Sequence, residues 1–174
     1  MILASDEASL YLQATQMRVW SPIGQTPVVA VDPGRKKTNF YGTLNLRTGD
    51  EYVMQAEKLN SATTALHLEQ LLAALPNVPI LLLWDKARHH MGESVQQLLA
   101  QNPRLEVLFF PTASPDLNPQ EHVWKAVRSA ISHNHADKDL STLATRFQSY
   151  LETHSFPSSF LDSYGFNSIC PAFS

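Results

Sequence analysis

The chain has 174 residues, 44% hydrophobic and 17% charged, with a net charge of −3. That balance suits one domain with a sizeable core and excludes a disordered chain. No apolar run approaches the roughly 20 residues of a membrane-spanning helix, and the opening M-I-L-A-S-D-E lacks the basic-then-apolar order of a secretory signal. The single cysteine, Cys170, has no partner for an internal disulfide. A soluble protein of the reducing cytoplasm is expected. The negative net charge argues against a broad basic footprint for nucleic acid. Local basic groups stand out all the same: Arg35, Lys36 and Lys37 are consecutive, Lys86 and Arg88 follow Asp85, and Lys125 and Arg128 follow Glu121. Such groups beside acids serve a phosphate substrate or form solvated surface.

In chain order, Met1–Ala4 reads as a short buried strand, and Thr15–Pro27 as irregular, punctuated by Pro22, Gly24 and Pro27. Asn39–Leu46 is rich in strand formers. The T-G-D turn after it lets Tyr52–Ala56 return as a hairpin partner. Leu68, Leu71, Leu72 and Leu75 share one helical face, which Pro76 ends. Val78–Trp84 is almost wholly apolar, as a central strand covered on both faces should be. Met91, Val95, Leu98 and Leu99 mark a second helix, ended by Asn102-Pro103, and Leu105–Phe110 another strand. Trp124, Val127 and Ile131 mark a third helix, and Leu140, Leu143, Phe147 and Leu151 a fourth. Phe156–Ser174 is aromatic without period. A hairpin followed by alternating helices and strands predicts an α/β fold: a mixed sheet with helices packed on its faces.

Three acids fall at element ends: Asp6 after the first strand, Asp85 after the central strand, and Glu121 in the first turn of the third helix. If the first and fourth strands are neighbours, Asp6 and Asp85 lie side by side. Clustered carboxylates repel and are best stabilised by hard divalent cations, Mg²⁺ or Mn²⁺. Two such ions about 3.5–4 Å apart stabilise the attacking and leaving oxygens of phosphodiester displacement. Each acid also has a plain structural reading. Asp6 and Asp85 suit loops or caps. Asn118 suits a helix N-cap, Pro119 the first helical position and Glu121 the third, a capping-box arrangement, with Asp116 serving the preceding turn. His122, His133, His135 and His154 match no metal-ligand spacing, so zinc is not expected.

The segments W-D-K-A-R-H-H (84–90) and S-P-D-L-N-P-Q-E-H-V-W (114–124) closely resemble the catalytic domain of DDE-superfamily transposases. The resemblance is to the bacterial insertion-sequence relatives of the mariner transposases. A-S-D-E (4–7) and W-S-P-I-G (20–24) resemble that family's first motif, and the match runs from about Ile2 to Arg128.

The resemblance implies a ribonuclease H-like fold, expected over residues 1–155 with a tail at 156–174; such transposases usually carry N-terminal helix-turn-helix domains, which are expected to be absent here because Asp6 comes almost at once. It implies a catalytic, metal-binding triad of Asp6, Asp85 and Glu121, with 35 residues between the last two. It further implies two Mg²⁺ or Mn²⁺ ions, hydrolysis at transposon ends, strand transfer to target DNA, and a homodimer at the bacterial nucleoid. A separate helix-turn-helix subunit is the expected partner if the gene is split. Lys86, Arg88, His90, Lys125 and Arg128 are the expected DNA contacts, His90 by its place five residues after the second aspartate. Lys86 stands where the family commonly has Asn or Gly. The rival expectations are a decayed or domesticated binding module without catalysis, and a stand-alone nuclease of the same fold.

Overall fold

The computed structural model describes residues 1–14, 20–25, 28, 36–111 and 117–156. The sequence readings of Arg35, the S-P-D segment with Asp116, Cys170, and the tail beyond Phe156 lie outside these residues. Five strands form one mixed sheet in the order β3-β2-β1-β4-β5. They are β1 (Ile2–Tyr11), β2 (Lys37–Asn45), β3 (Glu51–Ala56), β4 (Ile80–Trp84) and β5 (Leu105–Phe109). β2 runs antiparallel to both β1 and β3, whereas β4 runs parallel to both β1 and β5. Parallel pairing needs crossovers, and the helices α1 (Ser61–Ala74) and α2 (Glu93–Gln101) lie before and after β4. A 3₁₀ turn, Arg88–Met91, precedes α2 and contains Met91, which sequence periodicity put in the helix. α3 (Gln120–Val127) runs on into a π-helical turn at Arg128–Ser132, and α4 (Leu140–Thr153) closes the fold.

The largest departure from the sequence reading is β1. It extends through Asp6 to Tyr11, so Asp6 sits inside the strand and not after it. Only M-I-L-A looks like a buried strand because the next residues carry polar side chains into the interior. Ser5 is buried and its hydroxyl donates to Gly42 O; the Thr43 hydroxyl donates to Ser5 Oγ and lies 2.8 Å from His67 Nε2. Burial pushes the His67 ring down to about 4, so it is neutral in this network.

Two cores cover the two faces of the sheet. Ala4, Ala8 and Leu10 pack with Phe40, Leu44, Trp124, Val127, Phe147 and Leu151, under α3 and α4. Leu3 packs with Leu68, Leu71, Ile80, Leu82, Trp84 and Val95, under α1 and α2. Strand alternation sorts the two sets, since successive side chains of β1 point to opposite faces. The helix ends are fixed locally. Asn60 and Thr63 form a reciprocal capping box on α1, and the Asp139 carboxylate caps α4 by accepting from Thr142 N. The Arg104 guanidinium donates to the carbonyls of Leu72, Leu75 and Val78, satisfying groups that the end of α1 leaves free. At the other end of the domain, Phe156 N donates to Gly49 O and its ring lies 6.4 Å from that of Tyr150.

Gly42 lets α3 settle on the sheet. A Cβ there would land on Gln120 Nε2 and Glu51 Oε1, and 2.6 Å from Trp124 Cη2. Gly42→Ala is therefore expected to destabilise the fold by about 1–3 kcal/mol through overpacking. Urea unfolding followed by circular dichroism measures this; an unchanged midpoint would mean that α3 shifts freely.

Candidate active site

The parallel register pairs Ala4 with Leu83. Continued by two residues, it brings Asp6 level with Asp85, just beyond the end of β4. Asp6 lies on the face covered by α3, opposite Gly42 on β2. Burial pushes its carboxyl up to about 7, and the negative charges of Glu7, Glu121 and Asp85 add to the rise against a lowering backbone hydrogen bond at Glu7. Acids remote in the sequence thus act on one neighbourhood of the fold, between the middle of β1, the end of β4 and the start of α3, although among the described residues the oxygens of Asp6, Asp85 and Glu121 do not cluster within 4.8 Å of one another.

Glu121 reaches this point through the geometry of the helix start. Asn118 Oδ1 accepts from Gln120 N, while Asn118 Nδ2 donates to the Ser5 carbonyl on β1. Pro119 already has helical dihedrals, so Asn118 does the capping and Pro119 opens the helix. The expected reciprocal half of the capping box is not made: Glu121 N donates to Asn118 O, but the Glu121 carboxylate does not return to the Asn118 amide. That carboxylate is exposed and lines a groove of about 820 Å³ with Ser9, Tyr11, Lys125, Arg128 and His133.

The basic residues separate by position. Lys86 and Arg88 are exposed directly after Asp85. Lys125 and Arg128 follow Glu121 along α3 and line the same groove. Lys37 lies 5.8 Å from the Tyr11 ring at the far end of β1. His90, expected as a DNA contact, is the correction. It is fully buried, stacked on Trp84 with ring centroids 3.7 Å apart, and out of reach of any phosphate. Its Nδ1 donates to Asp85 Oδ1 at 2.7 Å and its Nε2 to Glu7 Oε1 at 2.8 Å. Burial alone would lower the ring, but the two carboxylates outweigh it and raise it to about 9. The bond from His90 is the main cause holding the Asp85 carboxyl below its ordinary value.

Glu7 is the site residue that sequence reasoning missed. As the neighbour of Asp6 on a strand it points to the opposite face, where it meets His89 and His90. Burial pushes its carboxyl up, and hydrogen bonds from the two histidines outweigh that and hold it below its ordinary value. Among the described residues, Glu7, His89 and His90 form one cluster whose potential ligand atoms lie within 4.8 Å of one another. The His90–Glu7 hydrogen bond accounts for that approach without a cation. Asp6 and Glu7 thus bracket β1, one carboxylate for each face.

A mixed 3-2-1-4-5 sheet with helices on both faces and acids gathered where β1, β4 and α3 meet has the ribonuclease H-like architecture. The chain belongs to the DDE superfamily endonuclease family, whose sequence pattern matches residues 1–144. It is 27% identical over 158 residues to the insertion element IS630 uncharacterized 39 kDa protein of Shigella sonnei, a match covering 90% of this chain and 46% of that protein. It superimposes on the Mos1 transposase in a paired-end complex with the left transposon end at a TM-score of 0.68 and 19% identity, over 88% of this chain and 48% of that one. With the isolated catalytic domain of Mos1 mariner transposase the TM-score is 0.63 at 17% identity, over 88% and 71% of the two chains. The chain therefore spans about half the length of the curated relative, and its likeness to Mos1 is one of fold. No helix among the described residues is long and apolar enough to cross a membrane.

Proposed function

We propose that this chain is the catalytic domain of a DNA transposase, cutting phosphodiesters at transposon ends and joining them to target DNA. Asp6, Asp85 and Glu121 are its catalytic carboxylates. The observation that supports this reading is the convergence of β1, β4 and α3, which brings Glu121 and Asp85 near enough to Asp6 to add to the rise that burial and Glu7 give its carboxyl, to about 7. A buried carboxylate destabilised by its neighbours is one that a divalent cation returns to the ionised form. The three carboxylates offer only oxygen donors, which fit Mg²⁺ or Mn²⁺. Asp6, Asp85 and Glu121 would hold two such ions, which when bound supply charge stabilisation at the attacking and leaving oxygens.

The rest of the reading belongs to the chain's own groups. His90 and the Ala87 amide hold Asp85 through its Oδ1. Asn118 and Pro119 set where α3 begins and so where Glu121 stands. Lys125 and Arg128 line the groove at Glu121 and are the proposed phosphate contacts there, with Lys86 and Arg88 on the Asp85 side. Positioning and electrostatics dominate phosphoryl transfer, so no covalent protein intermediate is needed. The Mos1 paired-end complexes support action on paired transposon ends; a homodimer and a separate helix-turn-helix subunit are proposed on the family resemblance alone.

The deciding assay mixes the protein with Mn²⁺, duplexes carrying pre-cut transposon ends, and a target plasmid. Joined products are expected. Cleaved but never joined DNA would reduce the reading to a nuclease, and unchanged DNA would favour a binding module. If Lys125 and Arg128 meet phosphate, replacing both with alanine should flatten the slope of log affinity against log salt by about 1.8. Fluorescence anisotropy on duplex DNA across a salt series checks this, and an unchanged slope removes both residues from the interface.

A further inference from the structure

Outside the triad, a further acid, Glu51, is partly exposed as a residue but has its carboxyl enclosed against the first turn of α3. Glu51, the first residue of β3, reaches over Gly42, and its Oε1 accepts from Gln120 Nε2 at 2.5 Å. Gln120 is fully buried and immediately precedes Glu121 on α3. Three atoms here are sealed from solvent without a partner: Glu51 Oε2, Gln120 Oε1 and Trp124 Nε1. The first two belong to the two groups already joined by the short bond. Were Glu51 ionised, its Oε2 and the amide Oε1 would be two unpaired acceptors, at the full cost of their desolvation. A neutral carboxyl changes the inventory. Its Oε2 then carries an O–H donor, and Gln120 Oε1, on the group already bonded to it, is an acceptor in need of one.

We infer that Glu51 is a neutral carboxylic acid closed with Gln120 into a cyclic acid–amide pair, and that this pair is a positioning element for Glu121. Gln120 Nε2–H donates to Glu51 Oε1, and Glu51 Oε2–H donates to Gln120 Oε1. Burial pushes the Glu51 carboxyl well above its ordinary range, against the lowering effects of hydrogen bonds from Gln120 and from the Thr43 backbone. Gly42 is the opening that admits the pair, since any side chain at that position would occupy its volume. The pair ties the first turn of α3 to β3, at the far side of β2 from Asp6. Together with the Asn118 bond to the Ser5 carbonyl on β1, it anchors the helix start at two points of the sheet. The positioning role rests on the reading of Glu121 as a metal ligand; the pairing itself does not.

Two measurements test it. An infrared difference spectrum at neutral pH, wild type minus Glu51→Gln, should show the carbonyl band of a protonated acid; carboxylate bands in its place overturn the pairing. Mn²⁺ affinity, followed by electron paramagnetic resonance, tests the positioning. Glu51→Gln should keep wild-type affinity, because two amides close the same ring. Glu51→Leu should weaken it by about 10–100-fold, as loss of a group supporting a metal ligand does. Equal affinity in all three proteins, or equal loss in both variants, overturns the role. Should the leucine variant fail to fold, the exchange of Glu51→Gln with Gln120→Glu carries the test. Acid and amide then trade places, and wild-type affinity is expected; a loss overturns the proposal. If instead Glu121→Gln leaves Mn²⁺ affinity unchanged, the ligand reading has failed, while the infrared band stands independently.

Discussion

Glu121→Gln is expected to fold with wild-type stability and to lose Mn²⁺-dependent cleavage by roughly 10³-fold or more, since a metal site contributes several kcal/mol of charge stabilisation. The two halves of that result come from different parts of the helix start. Capping of α3 depends on the Asn118 side chain and on Pro119, and the Glu121 carboxylate takes no part in it. Glutamine has nearly the same shape and the same helix propensity, so the exposed end of the side chain can lose its charge without disturbing packing. A hard cation loses an anionic oxygen and binds weakly. Thermal unfolding with a plasmid-nicking assay checks both halves. Wild-type cleavage by the variant would leave Glu121 as surface, and a large fall in melting temperature would make it structural.

His90→Phe is expected to cost about 3–5 kcal/mol, the loss characteristic of a buried charge stripped of its partner. Phenylalanine can keep the stack on Trp84 but cannot donate to Asp85 or Glu7, and Glu7 is almost wholly enclosed, with 7% of its side chain exposed. At roughly 2–4 °C per kcal/mol for a domain of this size, the melting temperature should fall by about 6–20 °C. The second arm is a double mutant. Glu7→Gln removes the stranded charge, so adding it to His90→Phe should restore part of the loss, giving a coupling energy well above the about 0.5 kcal/mol of independent sites. Additive effects would mean that the Glu7–His90 contact carries no energy of its own.

The parts of this fold that could be read in the sequence are those in which one kind of side chain repeats. β4 announced itself as an apolar run because it is central and covered on both faces. α4 did so because Leu143, Phe147 and Leu151 recur at helical spacing. β1 was cut short because its interior side chains beyond Ala4 include Ser5, Asp6 and Glu7, and no apolar pattern marks a strand that buries polar groups. The acids of the proposed triad were legible through their family motifs, and Asp85 and Glu121 also through their place at element ends. Their supporting groups were not: Glu7 meets His90 across 83 residues and Gln120 meets Glu51 across 69. Contacts at such separations leave no periodic trace, and the burial of His90 in particular turned an expected DNA contact into an internal one.

The placement of Asp6 and Glu7 side by side on β1 has a consequence for how this chain can vary in length. Residue by residue, the strand assigns one carboxylate to the α3 face and the next to the histidine face. Inserting or deleting a single residue between Leu3 and Asp6 would rotate both assignments at once, because a slip of one position exchanges the faces of a strand. Asp6 would then point at His90 and Glu7 at Glu121. Substitution at either position alters one face; a change of length there inverts two, so the segment should accept point changes far more readily than indels, and a deep mutational scan including single-codon deletions would register the contrast at Ala4 and Ser5.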